Sequence, residues 1–429
     1  MGAGEIAEAH VAPHWKRTLI LTAVSQVLSL VGFSFVTPFI PLFIQQLGIH
    51  GEANITLWAA LLTGGSSVFM IVAAPIWGAL ADRHGRKVMV VRAALSAGVL
   101  VVLMGAVQNV WQLLFLRLLQ GMFTGTVSAS QALVASQSPS RRMGMALGIM
   151  QTSLFVGTSI GPLLGGVVAD TFGYRLSFVA GGISLFISGL LVLFFVREHR
   201  APGPAVQAPP FWHDLGSALR IPVIPAMIGT YFAIQFGATV VTPILPQFVQ
   251  MLQGSHGHAA TVTGVVLAGA GVASAVAAII VGAVTDRIGY KTVLVTASVA
   301  AAAFSIPQFF VTSIWQLFAL RVLIGLATGA IMPAAGALTA ILVPASRRGT
   351  AYGLTGSANS LGFGVGPLTA ALVVSLWGIR PVFLTAAVLM VGIAVWVAAM
   401  VHLPEEESEG SPSEGQDAEH QVPGRAAAR

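Results

Sequence analysis

Arg117 lies inside an otherwise apolar run, with Gln120 and Gly121 about one helical turn further on. A guanidinium in lipid is costly, so such a side chain faces a cavity or a partner, or else braces backbone carbonyls. Arginine does not release its proton in a protein, so Arg117 itself is not a proton relay. The acids that could relay protons are Glu5, Glu8, Glu52, Asp82, Asp170, Glu198, Asp214, Asp286 and those of the tail, and none is at the centre of an apolar run. There is no cysteine, which removes disulfides, thiolate metal sites and cysteine nucleophiles. Ser255-His256-Gly257-His258 reads as an exposed loop, and no metal centre is expected.

The densest charge is in Gly78-Ala79-Leu80-Ala81-Asp82-Arg83-His84-Gly85-Arg86-Lys87, where only 8% of the chain is charged. Apolar runs flank it at 57–77 and 88–107, each close to the ~20 residues that cross a bilayer. It reads as a turn between two spanning helices. A weaker copy follows at Gly282-Ala283-Val284-Thr285-Asp286-Arg287-Ile288-Gly289-Tyr290-Lys291.

These residues are positioned by a membrane scaffold. The 429 residues are 55% hydrophobic with a mean hydropathy of +0.85, more apolar surface than a soluble chain could bury. About twelve spans are read, with centres near Val27, Phe69, Gly98, Phe123, Phe155, Phe186, Tyr231, Val272, Ala302, Leu326, Phe363 and Val391. Apart from Arg175 and Arg380, the loop cations fall on one face, which the positive-inside rule makes cytoplasmic, with both termini. Because the basic residues punctuate apolar runs, the net charge of +6 reflects membrane topology, and nucleic acid is not expected as a partner. The first run is expected to stay as a helix, without a cleaved signal peptide.

The chain repeats itself. Thr37, Pro38 and Pro41 return as Thr242, Pro243 and Pro246; Trp111, Arg117, Gly121 and Gly125 return as Trp315, Arg321, Gly325 and Gly329. Gly161-Pro162 and Gly173 with Arg175 return as Gly366-Pro367 and Gly378 with Arg380, so all these landmarks are offset by 204 or 205 positions. Six spans per repeat return the chain to the same face, so the repeats are parallel about an axis along the membrane normal. The expectation is an all-α integral membrane fold, twelve transmembrane helices in two six-helix bundles related by pseudo-twofold symmetry. The parts are an N-terminal tail (1–14), bundles at 15–196 and 221–402, a cytoplasmic linker (197–220) and a disordered acidic tail (403–429). A short surface helix at 211–219 is one reading of the linker.

The turn resembles the Gly-x-Leu-Ala-Asp-Arg-x-Gly-Arg-Lys signature of the major facilitator superfamily at every defining position. The resemblance implies a conformational latch. Asp82 would meet the N-terminus of a helix in the other half near Gly349 and Thr350, while Arg83, Arg86 and Lys87 hold the turn and lipid phosphates. Gly78 and Gly85 shape that turn, and Asp286 and Arg287 form its weaker copy. The plainer alternative is a topological anchor. Gly157, Gly161, Pro162, Gly165 and Gly166 match the Gly-x-x-x-Gly-Pro-x-x-Gly-Gly motif of that superfamily's antiporter branches. Physically this is a close-packing face with a helix-bending proline. Arg117, Gln120 and Gly121 resemble the fourth-helix motif, which implies a role in proton coupling; Arg321 is weighted below Arg117.

Mid-span polar and aromatic residues define a candidate substrate cavity: Gln26, Phe33, Phe35, Arg117, Gln120, Gln151, Phe155, Tyr231, Gln235, Phe236, Asn359 and Phe363. An apolar cavity with a few amides and an arginine suits amphipathic neutral or anionic molecules. The whole resembles the twelve-span multidrug-resistance efflux branch, which implies a monomeric, alternating-access exporter of drugs in a bacterial inner membrane. It would need no cofactor, with the proton as coupling ion. A sugar or metabolite transporter of the same fold is the alternative. A membrane enzyme would need a nucleophile–base pair or metal ligands within the spans, and neither is found.

Overall fold

The structure is a computed structural model that describes residues 14–139, 142–198, 220, 223–254, 257–343 and 348–400. The 211–219 segment of the linker and the tail after residue 400 lie outside the described residues.

The first half contains α1 (Trp15–Ser34), α2 (Ile40–Gln46), α3 (Glu52–His84), α4 (Arg86–Gly105), α5 (Val110–Phe123), α6 (Thr126–Gln137), α7 (Met143–Phe172) and α8 (Tyr174–Phe195). The second contains α9 (Val223–Thr239), α10 (Leu245–Gln253), α11 (Ala259–Ile288), α12 (Tyr290–Ser305), α13 (Ile314–Thr328), α14 (Ile331–Leu342), α15 (Arg348–Trp377) and α16 (Pro381–Met400). Among the described residues, ten stretches are long and apolar enough to cross a membrane. The short α9 and the divided pair α5 and α6 complete twelve spans in two six-helix bundles.

The fourth span is divided because Thr124 leaves helical geometry and Gly125 takes φ 134°. Polar groups freed by such a break must be satisfied inside the protein. Trp77 of α3 donates its indole N–H to the carbonyl of Met122, 2.7 Å away. The guanidinium of Arg92, a cation inside the third span, stacks 3.3 Å from the centre of that same ring. Gly85 and Gly289 end α3 and α11 at φ 100° and 89°, a left-handed conformation that disfavours a β-carbon. Both basic turns depend on that reversal.

The packing repeats with the sequence. α1 packs on α7 and α8 as α9 packs on α15 and α16; α4 pairs with α8 as α12 pairs with α16. Gly121 lies against the backbone of Ser66 on α3, and Gly325 lies against Ala270 on α11, 204 positions later in each case. Each bundle has its own apolar core. A third cluster joins them: Phe39, Leu42 and Ala169 from the first half pack with Val241, Ile244, Leu245, Phe248 and Phe383 from the second.

Candidate functional site

The bundles meet along two crossings that the pseudo-twofold axis exchanges, α7 with α11 and α3 with α15. The Gly-Pro motif builds the first. Gly157, Gly161 and Gly165 face α1, where β-carbons would strike Leu30, Ser34 and the carbonyl of Phe35. Gly166 faces the other way, onto the backbone of Ala260 and Thr261 of α11, and Gly264 lies on the Pro162 carbonyl. One motif thus clamps α7 to its own bundle and to the other bundle. Pro162 sits within a helix that runs unbroken, and the structure gives the motif a packing role on two faces. On the second crossing, Gly364 packs on Ser67 and Gly64.

Polar contacts gather at the end of the molecule away from the basic turns. Asp170, at the end of α7, accepts from the backbone N–H of Thr261 at 2.6 Å and of Ala260 at 3.4 Å. It therefore caps the N-terminus of α11 across the bundle interface, where a carboxylate meets both free N–H groups and the positive end of the helix dipole. Gln45 donates to Gln250 at 3.1 Å, a pair of repeat mates 205 positions apart. Gln247 donates to the hydroxyl of Thr56 at 3.1 Å. Nearer the basic turns on the same two helices, β-carbons at Gly144, Gly148 and Gly356 would meet no atom of the described residues within 4 Å.

The expected latch took its carboxylate from Asp82. The side chains of Asp82, Asp286 and Arg287, and those of Gly349 and Thr350, lie outside the described residues. Around Asp82, Gly78 is exposed and Arg83 is exposed. Arg86 donates from its guanidinium to the Ala132 carbonyl at 2.9 Å. The backbone amides of Arg86 and Lys87 are both held by the carboxylate of Glu198, at 2.9 and 3.0 Å. Glu198 thus ties the chain beyond the sixth span to the turn between spans two and three. Asp170 and Glu198 were both visible as acids at helix margins, but nothing in their spacing showed which helix each would cap.

Arg117 is 9% exposed and points into its own bundle. Trp111, Phe115 and Met122 mark the outward stripe of α5, and Arg117 shares the opposite face with Leu113, Gln120 and Gly121. Its guanidinium donates to the Gln120 side-chain oxygen, and to the Thr37 hydroxyl at 3.4 Å. Thr37 in turn donates to the Phe33 carbonyl at 2.7 Å, where the first span breaks into a short 3-10 turn. Arginine, amide and hydroxyl thus link spans one and four.

Two of the proposed cavity residues are packing residues instead. Gln26 is 2% exposed and donates to the Met150 carbonyl of α7 at 2.8 Å; Phe35 is 7% exposed and lies in the core of the first bundle. Close approach of α1 to α7 across the glycine motif is the physical reason. Phe33 and Phe155 are half-buried, while Gln151 is exposed near the diverging end of α7. In the second bundle Tyr231, Gln235, Phe236, Asn359 and Phe363 are all half-buried. The Tyr231 hydroxyl approaches Gly336 of α14, and Gln235 and Phe236 line the approach of Gly362. The Asn359 side-chain oxygen is buried without a hydrogen bond. No group of three or more metal-ligating side chains occurs among the described residues.

The pattern of the Major Facilitator Superfamily matches residues 22–254 and again 227–427, one match for each half. A multidrug resistance protein MdtG of Enterobacter lignolyticus is 36% identical over 386 residues, covering 89% of this chain and 92% of that protein. A bacterial homologue of the human lysosomal transporter Spinster, solved in an inward-facing and occupied conformation, superposes with a TM-score of 0.74 at 15% identity, covering 90% of this chain and 97% of that one. A D-xylose–proton symporter superposes with a TM-score of 0.72 at 15% identity, covering 90% of this chain and 98% of that one. With the doubled six-helix body, the two exchanged crossings and the matched motifs, these findings show that the chain belongs to the Major Facilitator Superfamily.

Proposed function

We propose that this protein is a multidrug exporter that moves amphipathic small molecules by alternating access, driven by proton antiport, with its basic end in the cytoplasm. The observation that carries the reading is the asymmetry of the bundle interface. Asp170, Gln45–Gln250 and the Phe39–Phe248 cluster join the bundles at one end, while on α7 and α15 nearer the basic turns Gly144, Gly148 and Gly356 meet no atom of the described residues. A carrier closed outside and open inside is ready to receive a molecule from the cytoplasm. The 36% identity to a protein named for multidrug resistance supports the cargo class. Movement would rock 15–196 against 221–402 about the α7–α11 and α3–α15 crossings, breaking the Asp170 cap while a latch around Asp82 forms at the cytoplasmic mouth. The working unit is a monomer with no cofactor, in the inner membrane with both termini cytoplasmic. The Arg117–Gln120–Thr37 link would couple proton movement to rearrangement of the first span, although Arg117 keeps its own proton.

The test is uptake of fluorescent amphipaths into everted membrane vesicles from cells that express the protein. Accumulation against a gradient, abolished by a protonophore, is expected. Accumulation that survives the protonophore would overturn antiport, and no uptake of anionic, neutral or cationic probes would overturn export.

A further inference from the structure

Arg321 is the repeat mate of Arg117, yet its surroundings differ in one decisive respect. Trp315, Ala319, Leu323 and Leu326 are exposed and mark the lipid-facing stripe of α13. Arg321 lies on the opposite face, in line with the fully buried Leu317 and with Gly325, which packs on Ala270. So it points into the second bundle, as Arg117 points into the first. Its guanidinium carbon is 5.8 Å from the ring centre of the buried Phe383. The Nε and Nη2 atoms are buried and have no hydrogen-bond partner among the described residues.

The cause is legible in the repeat. Arg117 is answered by Gln120 and Thr37, whereas the corresponding residues are Ile324, which has no acceptor, and Thr242, which is exposed. Nor does the second half supply a counter-ion. Between residues 223 and 400 its one acid is Asp286, sixteen positions along α11 from Ala270, about 24 Å at 1.5 Å per residue. Two guanidinium donors shielded from water and left unpaired are a penalty to carry. The residue as a whole is partly exposed although these two donors are not, so they lie close beneath an accessible surface. A planar fork of donors beside an aromatic ring fits a carboxylate, sulfonate or phosphate group attached to an apolar body.

We propose that Arg321 is the anion anchor of the carrier, binding the charged head of amphipathic anions beneath the cluster that closes the outer end. The proposal deepens the export reading and rests on it for the direction of movement alone; binding stands by itself.

The test uses the purified full chain in nanodiscs, with two probes that share an aromatic skeleton: anilinonaphthalene sulfonate and the sulfonate-free N-phenyl-naphthylamine. Arg321→Ala is expected to weaken the sulfonate by about tenfold to a hundredfold, the range for one charge-assisted contact. Binding of the neutral probe should be unchanged, and Arg321→Lys should fall between. Ile324→Gln supplies the acceptor present in the first half and keeps the charge; it should weaken the sulfonate without lowering thermal stability. Sulfonate affinity unaltered in both Arg321→Ala and Ile324→Gln, or equal loss of both probes, would overturn the anchor. Uptake by the parent protein in everted vesicles is read separately. Selective sulfonate loss with no uptake would retain the anchor and sink export, while uptake with unaltered affinities would sink the anchor alone.

Discussion

Removing the Asp170 carboxylate should open the closed end of the carrier. In the observed state this side chain accepts from two backbone N–H groups at the first turn of α11, 2.6 and 3.4 Å away, and it belongs to the other bundle. A helix cap contributes about 1 kcal/mol, and a negative charge at a helix N-terminus adds about 0.3–1 kcal/mol. The longer of the two contacts is weak and Asp170 is only half-buried, so the lower part of the combined range applies. A loss of about 1–1.5 kcal/mol shifts a two-state balance by about fivefold to twelvefold. The chain has no native cysteine, so single introduced cysteines report the shift directly. Leu42→Cys, at a site 3% exposed in the interbundle cluster, should label faster when combined with Asp170→Ala. Ser357→Cys, exposed towards the basic end, should label more slowly in the same background. Asp170→Asn keeps an acceptor but no charge and should lie between. If neither label changes in Asp170→Ala, the cap does not hold the two bundles together and the reasoning fails.

Gly166→Val would press a branched side chain into the backbone of Ala260 and Thr261. It should abolish vesicle uptake and raise labelling at Leu42→Cys while membrane insertion stays normal; retained uptake would remove the α7–α11 crossing from the moving parts. Arg117→Ala leaves Gln120 without its donor deep in the first bundle. It should stop transport in a protein that still inserts, and full activity would return Arg117 to a purely structural role. Glu198→Ala frees two backbone amides at the start of α4, a loss of about 1–2 kcal/mol. Thermal unfolding in detergent should occur at a lower temperature while uptake per folded molecule is kept.

Much of the architecture was legible in the chain because a bilayer leaves few options. Backbone groups in lipid must be satisfied within a helix, so span length and apolar content nearly dictate the elements. The 204–205 offset dictated the doubling, and it reappears in space as Gly121 on Ser66 and Gly325 on Ala270. The fourth span was legible only as a span: its break at Gly125 depends on Trp77 reaching the Met122 carbonyl from another helix.

Side-chain roles were less legible, for reasons of distance and direction. Gln26 and Phe35 had the composition and depth of cavity residues, but the glycines of α7 draw α1 so close that both are enclosed. Motif and spacing alone determined that an apolar double bundle carries a charged turn, a glycine-proline face and an arginine within a span in each half. Only the folded chain decided that Asp170 reaches across to Thr261, that Glu198 returns to cap α4, and that one arginine is answered while its mate is not. Hydrogen bonds and ion pairs act over about 3–4 Å, and which residues come that close, 90 or 112 positions apart in sequence, is settled by helix packing.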